Sequence, residues 1–316
     1  MTLTLQLARD SGLALRDVRR LILTAPKRYK VYPIPKRNGD PRLIAQPSLE
    51  IKVLQRALMR ISLRNLPVHE AAFAYVTGKS IRSNAEVHAK SSFILKLDFT
   101  NFFNSIKPID LERVLRSTNV HGLTPLDFED VYYLSFWGAG TYRPHCLSIG
   151  APSSPMISNI VMYDIDCKAS DLARQLEIKY TRYADDVTVS GTNRDALIIF
   201  ENHFTKIVRD SKLSIELNHA KRGLYSRGER RMVTGLIITP DGSISIGRGR
   251  KREIRAMLHR LSLDTSDNLL MAQCQGLLAF VISAEPSFIR SLRRSYGSDF
   301  IKSVIKAPRM SFYTGD

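Results

Sequence analysis

Apolar residues at Leu3, Leu7, Leu13, Leu15, Val18, Leu21 and Ile22 recur at helical spacing, broken at Ser11-Gly12 and stopped by Pro26. This predicts one or two short helices over residues 3–23. Residues 29–46 alternate between apolar and polar on both sides of Asn38-Gly39, the signal of a hairpin with a basic tip. Over 48–64, Ser48 is a plausible N-cap, and Ile51, Leu54, Leu58 and Ile61 follow the helical period. The run SFILKLDF at 92–99 is short, apolar and closed by an acid, which predicts a buried strand. Residues 152–176 are expected to form one long helix, with Pro155 tolerated in its first turn. Residues 178–190 are rich in β-branched and aromatic side chains around Ala184-Asp185-Asp186, a second hairpin signal. A helix over 194–211 and strands over 213–217 and 232–239 follow. From Gly247 the pattern turns helical and basic, so a boundary is expected inside GSISIGRGRK.

Composition narrows the class. The chain of 316 residues is long enough for two or three subdomains. It holds no unbroken apolar run of about 18 residues, so no membrane span is expected. The start, MTLTLQLARDSG, lacks a secretory pattern, and Cys146, Cys167 and Cys274 are too scattered for a disulfide framework or a CxxC pair. Both point to a cytoplasmic protein. The 7 histidines form no ligand cluster, which argues against structural zinc. Lys and Arg number 47 against 30 Asp and Glu, a formal charge of +17 that calls for a polyanionic partner. No basic amphipathic helix with Trp or Phe anchors stands out, so nucleic acid is favoured over a membrane.

The candidate chemistry lies in three aspartates. Asp98 closes a buried strand, and Asp185 and Asp186 sit at a hairpin tip. A carboxylate at the end of a buried strand is costly unless something positive pairs with it. Neither segment offers an obvious Lys or Arg on the same face, so a divalent cation is expected, and Mg²⁺ suits carboxylates with water and phosphate oxygens. Because side chains alternate along a strand, Asp185 is expected to share the metals with Asp98, and Asp186 to be secondary. This describes a two-metal phosphoryl-transfer centre. Asp is also common in turns, and either segment alone would favour that plain reading. The two contexts together favour the metal site.

Tyr183-Ala184-Asp185-Asp186 resembles the YxDD box of reverse transcriptases, and Lys96 to Ile106 (KLDFTNFFNSI) resembles their first metal-binding motif. Gly150-Ala151-Pro152-Ser153-Ser154-Pro155 is similar to the loop opening their template-contacting helix. Asn84-Ala85-Glu86-Val87-His88 resembles the NAxxH element, and Val233-Thr234-Gly235 the VTG element, of retron reverse transcriptases. One short pattern is weak, but five in family order are specific. The resemblance runs from about Tyr29 to Gly235, with a basic tail after it.

The resemblance implies an α+β right-hand polymerase fold with fingers, a palm built on an antiparallel sheet, and a helical thumb. The expected division is an N-terminal helical extension at 1–28 and fingers with the first palm elements at 29–92. The palm follows at 93–240, with a helical insertion around 107–145, and a basic helical thumb at 241–316. By the resemblance Asp98, Asp185 and Asp186 are catalytic and bind two Mg²⁺, with the carbonyl of Phe99 completing one shell. Lys36 and Arg42 flank the fingers turn and would clamp the incoming triphosphate, with Arg37 a rival for Lys36. Phe103 is the expected steric gate against ribonucleotides, while Phe102 or Phe103 is a core aromatic. Ser148-Ile149-Gly150 stands where the family commonly has Pro-Gln-Gly. Ile149 and Gly150 would still border the nucleotide, but Ile149 cannot make the hydrogen bond of the usual Gln. Lys221, after SIELN, is the candidate to assist pyrophosphate departure. Asn84 and His88 would contact RNA or hold a local loop, and Ser154, Pro155 and Tyr183 would face template or primer. Thr234 and Gly235 would shape a primer-facing turn.

In the tail, Arg248, Arg250, Lys251, Arg252 and Arg255 stand on a helix whose other face is apolar, and would grip a duplex through its phosphates. The implied enzyme copies part of a cognate retron noncoding RNA into branched, RNA-linked DNA (msDNA) from dNTPs, priming from a 2′-OH. An effector protein for anti-phage defence is an expected partner. Another bacterial reverse-transcriptase class, or a non-catalytic RNA-binding module on this scaffold, remain alternatives.

Overall fold

The computed structural model describes residues 2–35, 39–118 and 123–307. In chain order the helices α1 (Leu3–Ser11) and α2 (Leu15–Thr24) lead into strands β1 (Tyr29–Pro35) and β2 (Pro41–Pro47). Helices α3 (Leu49–Ile61) and α4 (Ile81–His88) precede β3 (Phe93–Asp98). Then come α5 (Phe102–Ser105), α6 (Pro108–Ser117), α7 (Phe128–Ser135), α8 (Ser154–Val161) and α9 (Tyr163–Gln175). Strands β4 (Lys179–Tyr183) and β5 (Asp186–Gly191), helix α10 (Arg194–Asp210) and strand β6 (Gly223–Ser226) follow. The chain ends with β7 (Arg231–Val233), β8 (Leu236–Ile238), β9 (Ile244–Ser245), α11 (Arg248–Leu263), α12 (Asn268–Ala284), α13 (Pro286–Tyr296) and α14 (Ser298–Lys306).

Two compact units emerge. One holds residues 2–78 and 95–224, and the other 79–94 and 225–307. In the first, α1 and α2 bury Leu3, Leu7, Val18 and Ile22, and the Leu3 amide donates to Asp127 at 2.9 Å. Strands β1 and β2 pair antiparallel from Tyr29↔Pro47 to Pro35↔Pro41. Lys36, Arg37 and Asn38 of this hairpin lie outside the described residues. The main sheet runs β4-β5-β3-β6. Its strand β3 buries Leu95 and Leu97 in this unit, and α10 lays Phe200 and Phe204 against Tyr180 of β4, with ring centroids at 5.9 and 6.1 Å.

The second unit surrounds an apolar cluster in which Ala85 and Ile94 join Val233, Leu236, Ile254, Leu258, Cys274 and Leu278. Residues 79–94 therefore pack with the tail, and the packing unit does not coincide with the change of composition near Gly247. Among the described residues, no helix is long and apolar enough to cross a membrane.

Three local expectations are corrected. The long helix over 152–176 is divided at Met162, although its amide still reaches the Ser158 carbonyl (3.1 Å) and its carbonyl the Asp166 amide (2.9 Å). Helix α8 buries five successive residues, Ile157 to Val161, while α9 buries a single stripe of Ile165, Asp166, Ala169 and Ala173. The strand over 213–217 is reduced to one bridge, Leu217 to Phe99, because only residues just past the end of β3 are there to pair with it. The strand over 232–239 is a hairpin, β7–β8, turned by Thr234 (φ 47°) and Gly235 (φ 79°). Two left-handed residues are what a two-residue turn of this register needs. Glycine meets that need freely, whereas Thr234 is held there by its hydroxyl donating to the Ile81 carbonyl at 2.9 Å.

Leu278 is fully buried in the second unit. Leu278→Ala is expected to destabilise the protein by about 2–5 kcal/mol, read as a lower urea midpoint; an unchanged midpoint would contradict this packing.

Candidate active site

The hairpin register Tyr183↔Asp186 leaves Ala184 and Asp185 as its two-residue tip. Ala184 adopts a left-handed conformation (φ 57°). Strand β3 is next to β5 in the sheet, so Asp98 ends beside this tip. The Phe99 amide donates to the Asp185 carbonyl at 3.2 Å, which locks the two acid-bearing backbones in register. Beyond Asp98, the Thr100 amide donates to the Glu216 carbonyl (2.8 Å) and the Asn218 amide to the Asp98 carbonyl (2.7 Å). The Asn218 side chain then caps a 3-10 turn over His219–Lys221 by accepting from the Ala220 amide. That turn delivers Lys221 Nζ to Asp98 Oδ1 at 2.7 Å.

Charge at the site is denser than expected. Lys96 Nζ lies 2.6 Å from Asp186 Oδ2, so the expectation that no basic side chain shares the face of these acids is overturned. Lys96 stands two residues before Asp98 on the same strand, and therefore on the same face. Burial, and then the negative charge of Asp98, raise the pKa of Asp185, while Lys221 works the other way. Burial also raises Asp186, and Lys96 pulls it down. Among the described residues no group of three or more His, Cys, Asp and Glu side chains forms a ready-made metal cage. What Asp98 and Asp185 offer is carboxylate oxygen with mutual repulsion to relieve. That donor set fits a hard cation that takes one or two carboxylates here and fills its shell with water and phosphate oxygens.

A cavity of about 450 Å³ opens on Asp185 and Lys221 and is also lined by Arg42, Tyr75, Phe103 and Ile149. Phe102 is buried and stacks on Phe99 with centroids 5.7 Å apart, whereas its neighbour Phe103 is half-buried and turned to the cavity. The segment is a short helix rather than an extended strand, and the two rings meet edge to face with centroids 5.5 Å apart. Ile149 is fixed by its carbonyl, which accepts from the Ala45 amide at 3.0 Å. Gly150 sits at φ 121°, and a Cβ there would come within 3.1 Å of the Ala45 carbonyl oxygen, so any side chain would strain the loop where it lies on β2. Ser154 is buried and accepts from the Ser148 amide at 3.3 Å, which makes it a brace for the same loop. Pro155 and Tyr183 are half-buried, and Arg42 is exposed.

In the second unit, Asn84 and His88 are buried. Their side chains present no surface, and among the described residues the Asn84 side-chain amide has no hydrogen-bond partner. Lys251 is engaged by Glu285 at 2.6 Å. Arg250 stacks over Phe280 at 5.0 Å and Arg255 over Phe288 at 5.1 Å. Arg248, Arg252 and Arg255 are exposed.

Sequence reasoning missed Lys96, Tyr75 and Arg182. Lys96 carried a signal, since its two-residue spacing from Asp98 fixes its face. Tyr75 carried none. It is left-handed (φ 63°), and its ring centroid lies 6.4 Å from that of Phe103. Arg182 was readable as a charge inside a buried strand, and it is fully buried.

A profile of the reverse transcriptase (RNA-dependent DNA polymerase) family matches residues 34–238. The chain is 38% identical to the retron Ec83 reverse transcriptase of Escherichia coli over 88% of its own length and 90% of that protein's. It is 31% identical to the retron Ec73 reverse transcriptase of the same species, covering 87% and 89%. Among solved structures, it is similar to telomerase from Candida albicans in complex with a fragment of telomeric RNA, at 14% identity and a TM-score of 0.52. That match covers 90% of this chain and 57% of the telomerase chain, and it bears on the fold alone, an α+β right-hand polymerase fold.

In Lys96→Ala, Asp186 loses the ammonium that holds its pKa down. The pKa then rises further, and if the ionised carboxylate is the working form, the acid limb of the pH–activity profile moves to higher pH. An acid limb unchanged from wild type would contradict this electrostatic picture.

Proposed function

From the premise that the chain belongs to the retron reverse transcriptases, RNA-directed DNA polymerases, we propose that it copies part of a cognate structured noncoding RNA into msDNA. In this proposal DNA synthesis starts from a 2′-OH of the RNA, consumes dNTPs, and serves an anti-phage system with an effector protein. The observation that carries the polymerase chemistry is the convergence of Asp98 and Asp185 beside a cavity of about 450 Å³. The relatives' own names supply the retron assignment.

Asp98, Asp185 and Asp186, with the Phe99 carbonyl, would hold two Mg²⁺. When bound, such ions favour ionisation of the attacking hydroxyl and neutralise the leaving pyrophosphate. The chain's own groups do the rest. Arg42, on the cavity rim, offers a planar fork to the triphosphate. Lys36 would share that task. Lys221 adds a positive charge within the same cavity, where pyrophosphate would depart. Phe103 fills the space a ribose 2′-OH needs, and Ile149 with Gly150 forms the apolar floor under the nucleotide. Pro155 and Tyr183 border the path of the template or primer, and Ser154 braces the loop from within.

In this reading β1–β2 belongs to the fingers, the β4-β5-β3-β6 sheet to the palm, and α11–α14 to the thumb. Arg248 and Arg252 face outward from α11, and Arg255 stays exposed while it stacks over Phe288; all three can meet phosphates through charge rather than base identity. Arg250 and Lys251 act there mainly as braces, and Thr234 with Gly235 forms a turn within the same unit.

Primer extension with purified protein, dNTPs and Mg²⁺ tests the proposal. Wild type should extend an RNA-templated primer, and Asp185→Asn should not, while binding the RNA equally well. Equal extension by both would refute the assignment of Asp185. Phe103→Val should shift selectivity toward ribonucleotides by about tenfold or more, since it removes the bulk that excludes the 2′-OH. Unaltered selectivity would show that Phe103 is not the gate.

A further inference from the structure

The acid-bearing tip is held from two sides. The Phe99 amide takes the Asp185 carbonyl at 3.2 Å. On the other side, Arg182 Nη1 donates to the Ala184 carbonyl at 3.1 Å. Arg182 and Asp166 are both fully buried. The guanidinium meets Asp166 in a fork, Nε to Oδ1 at 2.9 Å and Nη2 to Oδ2 at 2.6 Å. Nη1 also donates to Asn159 Oδ1 at 3.2 Å. Asp166 is itself oriented by the Tyr180 hydroxyl, which donates at 2.7 Å. Asn159 is anchored by donating to the Ala74 carbonyl at 2.9 Å. The Arg182 backbone is fixed as well, its amide donating to the Ala71 carbonyl and its carbonyl accepting from the Phe73 amide, each at 2.8 Å.

Such a construction is a poor device for stability. Taking both charges out of water offsets most of their attraction, and an apolar pair of similar volume often serves stability as well or better. What a guanidinium supplies, and an apolar side chain cannot, is direction. Its planar fork is pinned by Asp166 and Asn159, and its one outgoing hydrogen bond is aimed at Ala184, a non-glycine residue in the left-handed region (φ 57°) immediately before Asp185. A carbonyl in that conformation has no strand partner to hold it.

We infer that Arg182 is a positioning residue of the polymerase reaction: anchored by Asp166 and Asn159, it locks the left-handed peptide at Ala184 and so fixes where Asp185 presents its carboxylate. The inference rests on the reading of Asp185 as catalytic. It adds that the precision of Asp185 is set by a buried ion pair of α9 with β4, which touches no substrate.

Two variants test it, read by kcat, the KM for dNTP, RNA affinity and thermal midpoint. Arg182→Lys keeps the charge opposite Asp166 but cannot serve Asp166 and Ala184 together. It is expected to lower kcat by about tenfold or more, with the KM and RNA affinity within about twofold of wild type, as for a misplaced catalytic group. The double variant Arg182→Met with Asp166→Leu replaces the pair by apolar volume. It should recover the thermal midpoint lost in Arg182→Met alone, while kcat stays low. Arg182→Lys at wild-type kcat, or a kcat that recovers together with the midpoint in the double variant, overturns the inference. Either variant that folds is decisive. Asp185→Asn run in parallel separates the two levels. If it still extends, the reading of the site fails; if it is dead while Arg182→Lys is fully active, only the positioning role fails.

Discussion

The site depends on one backbone pairing, the hydrogen bond from the Phe99 amide to the Asp185 carbonyl at 3.2 Å. It joins the end of a buried strand to the tip of a hairpin more than eighty residues later in the chain. A slip of one residue in either partner would turn every side chain of that strand to the opposite face. The apolar content of β3, and the burial of Val187 and Val189 on β5, oppose such a slip, because it would put Thr188 and Ser190 where the valines pack. The register of the core is therefore what brings Asp98 to Asp185, and the short edge pairing at 216–218 extends the same constraint to Lys221.

Once the acids are gathered, charge must be balanced. Lys96 lies against Asp186 and Lys221 against Asp98, so each outer carboxylate has an ammonium, while burial and repulsion act most directly on Asp185. A site built this way is poised for additional positive charge without needing a closed cage of protein ligands. The overall surplus of basic residues serves a different purpose. On α11 part of it is spent on stacking and on Glu285, and the remainder points outward.

Much of this was legible in the sequence, for physical reasons. The two hairpins announced themselves because alternation stops at Asn38-Gly39 and at Ala184-Asp185. Asp98 stood out because an acid ended an apolar run. What escaped required knowledge of register or of three-dimensional packing. Lys96 was in plain view, but its role appears only when β3 is laid beside β5. Arg182 is a charge inside a buried strand, and its partner Asp166 lies on a helix 16 residues earlier. Leu213, Ile215 and Leu217 alternate as a strand would, yet find only the last residues of β3 to pair with. The strand expected over 232–239 is broken by a turn at Thr234-Gly235, which the family resemblance pointed to and which the hydrogen bond from Thr234 to Ile81 holds.

The central claim is that the register of the sheet makes Asp98 and Asp185 one binding site for divalent cations. Titration of the protein with Mn²⁺, followed by the loss of the free-ion paramagnetic resonance signal, addresses this without any nucleotide or RNA. Wild type should take up the ion, and Asp98→Asn should bind it about tenfold more weakly or worse, since half of the converging charge is gone. Identical uptake by the two proteins would contradict the account.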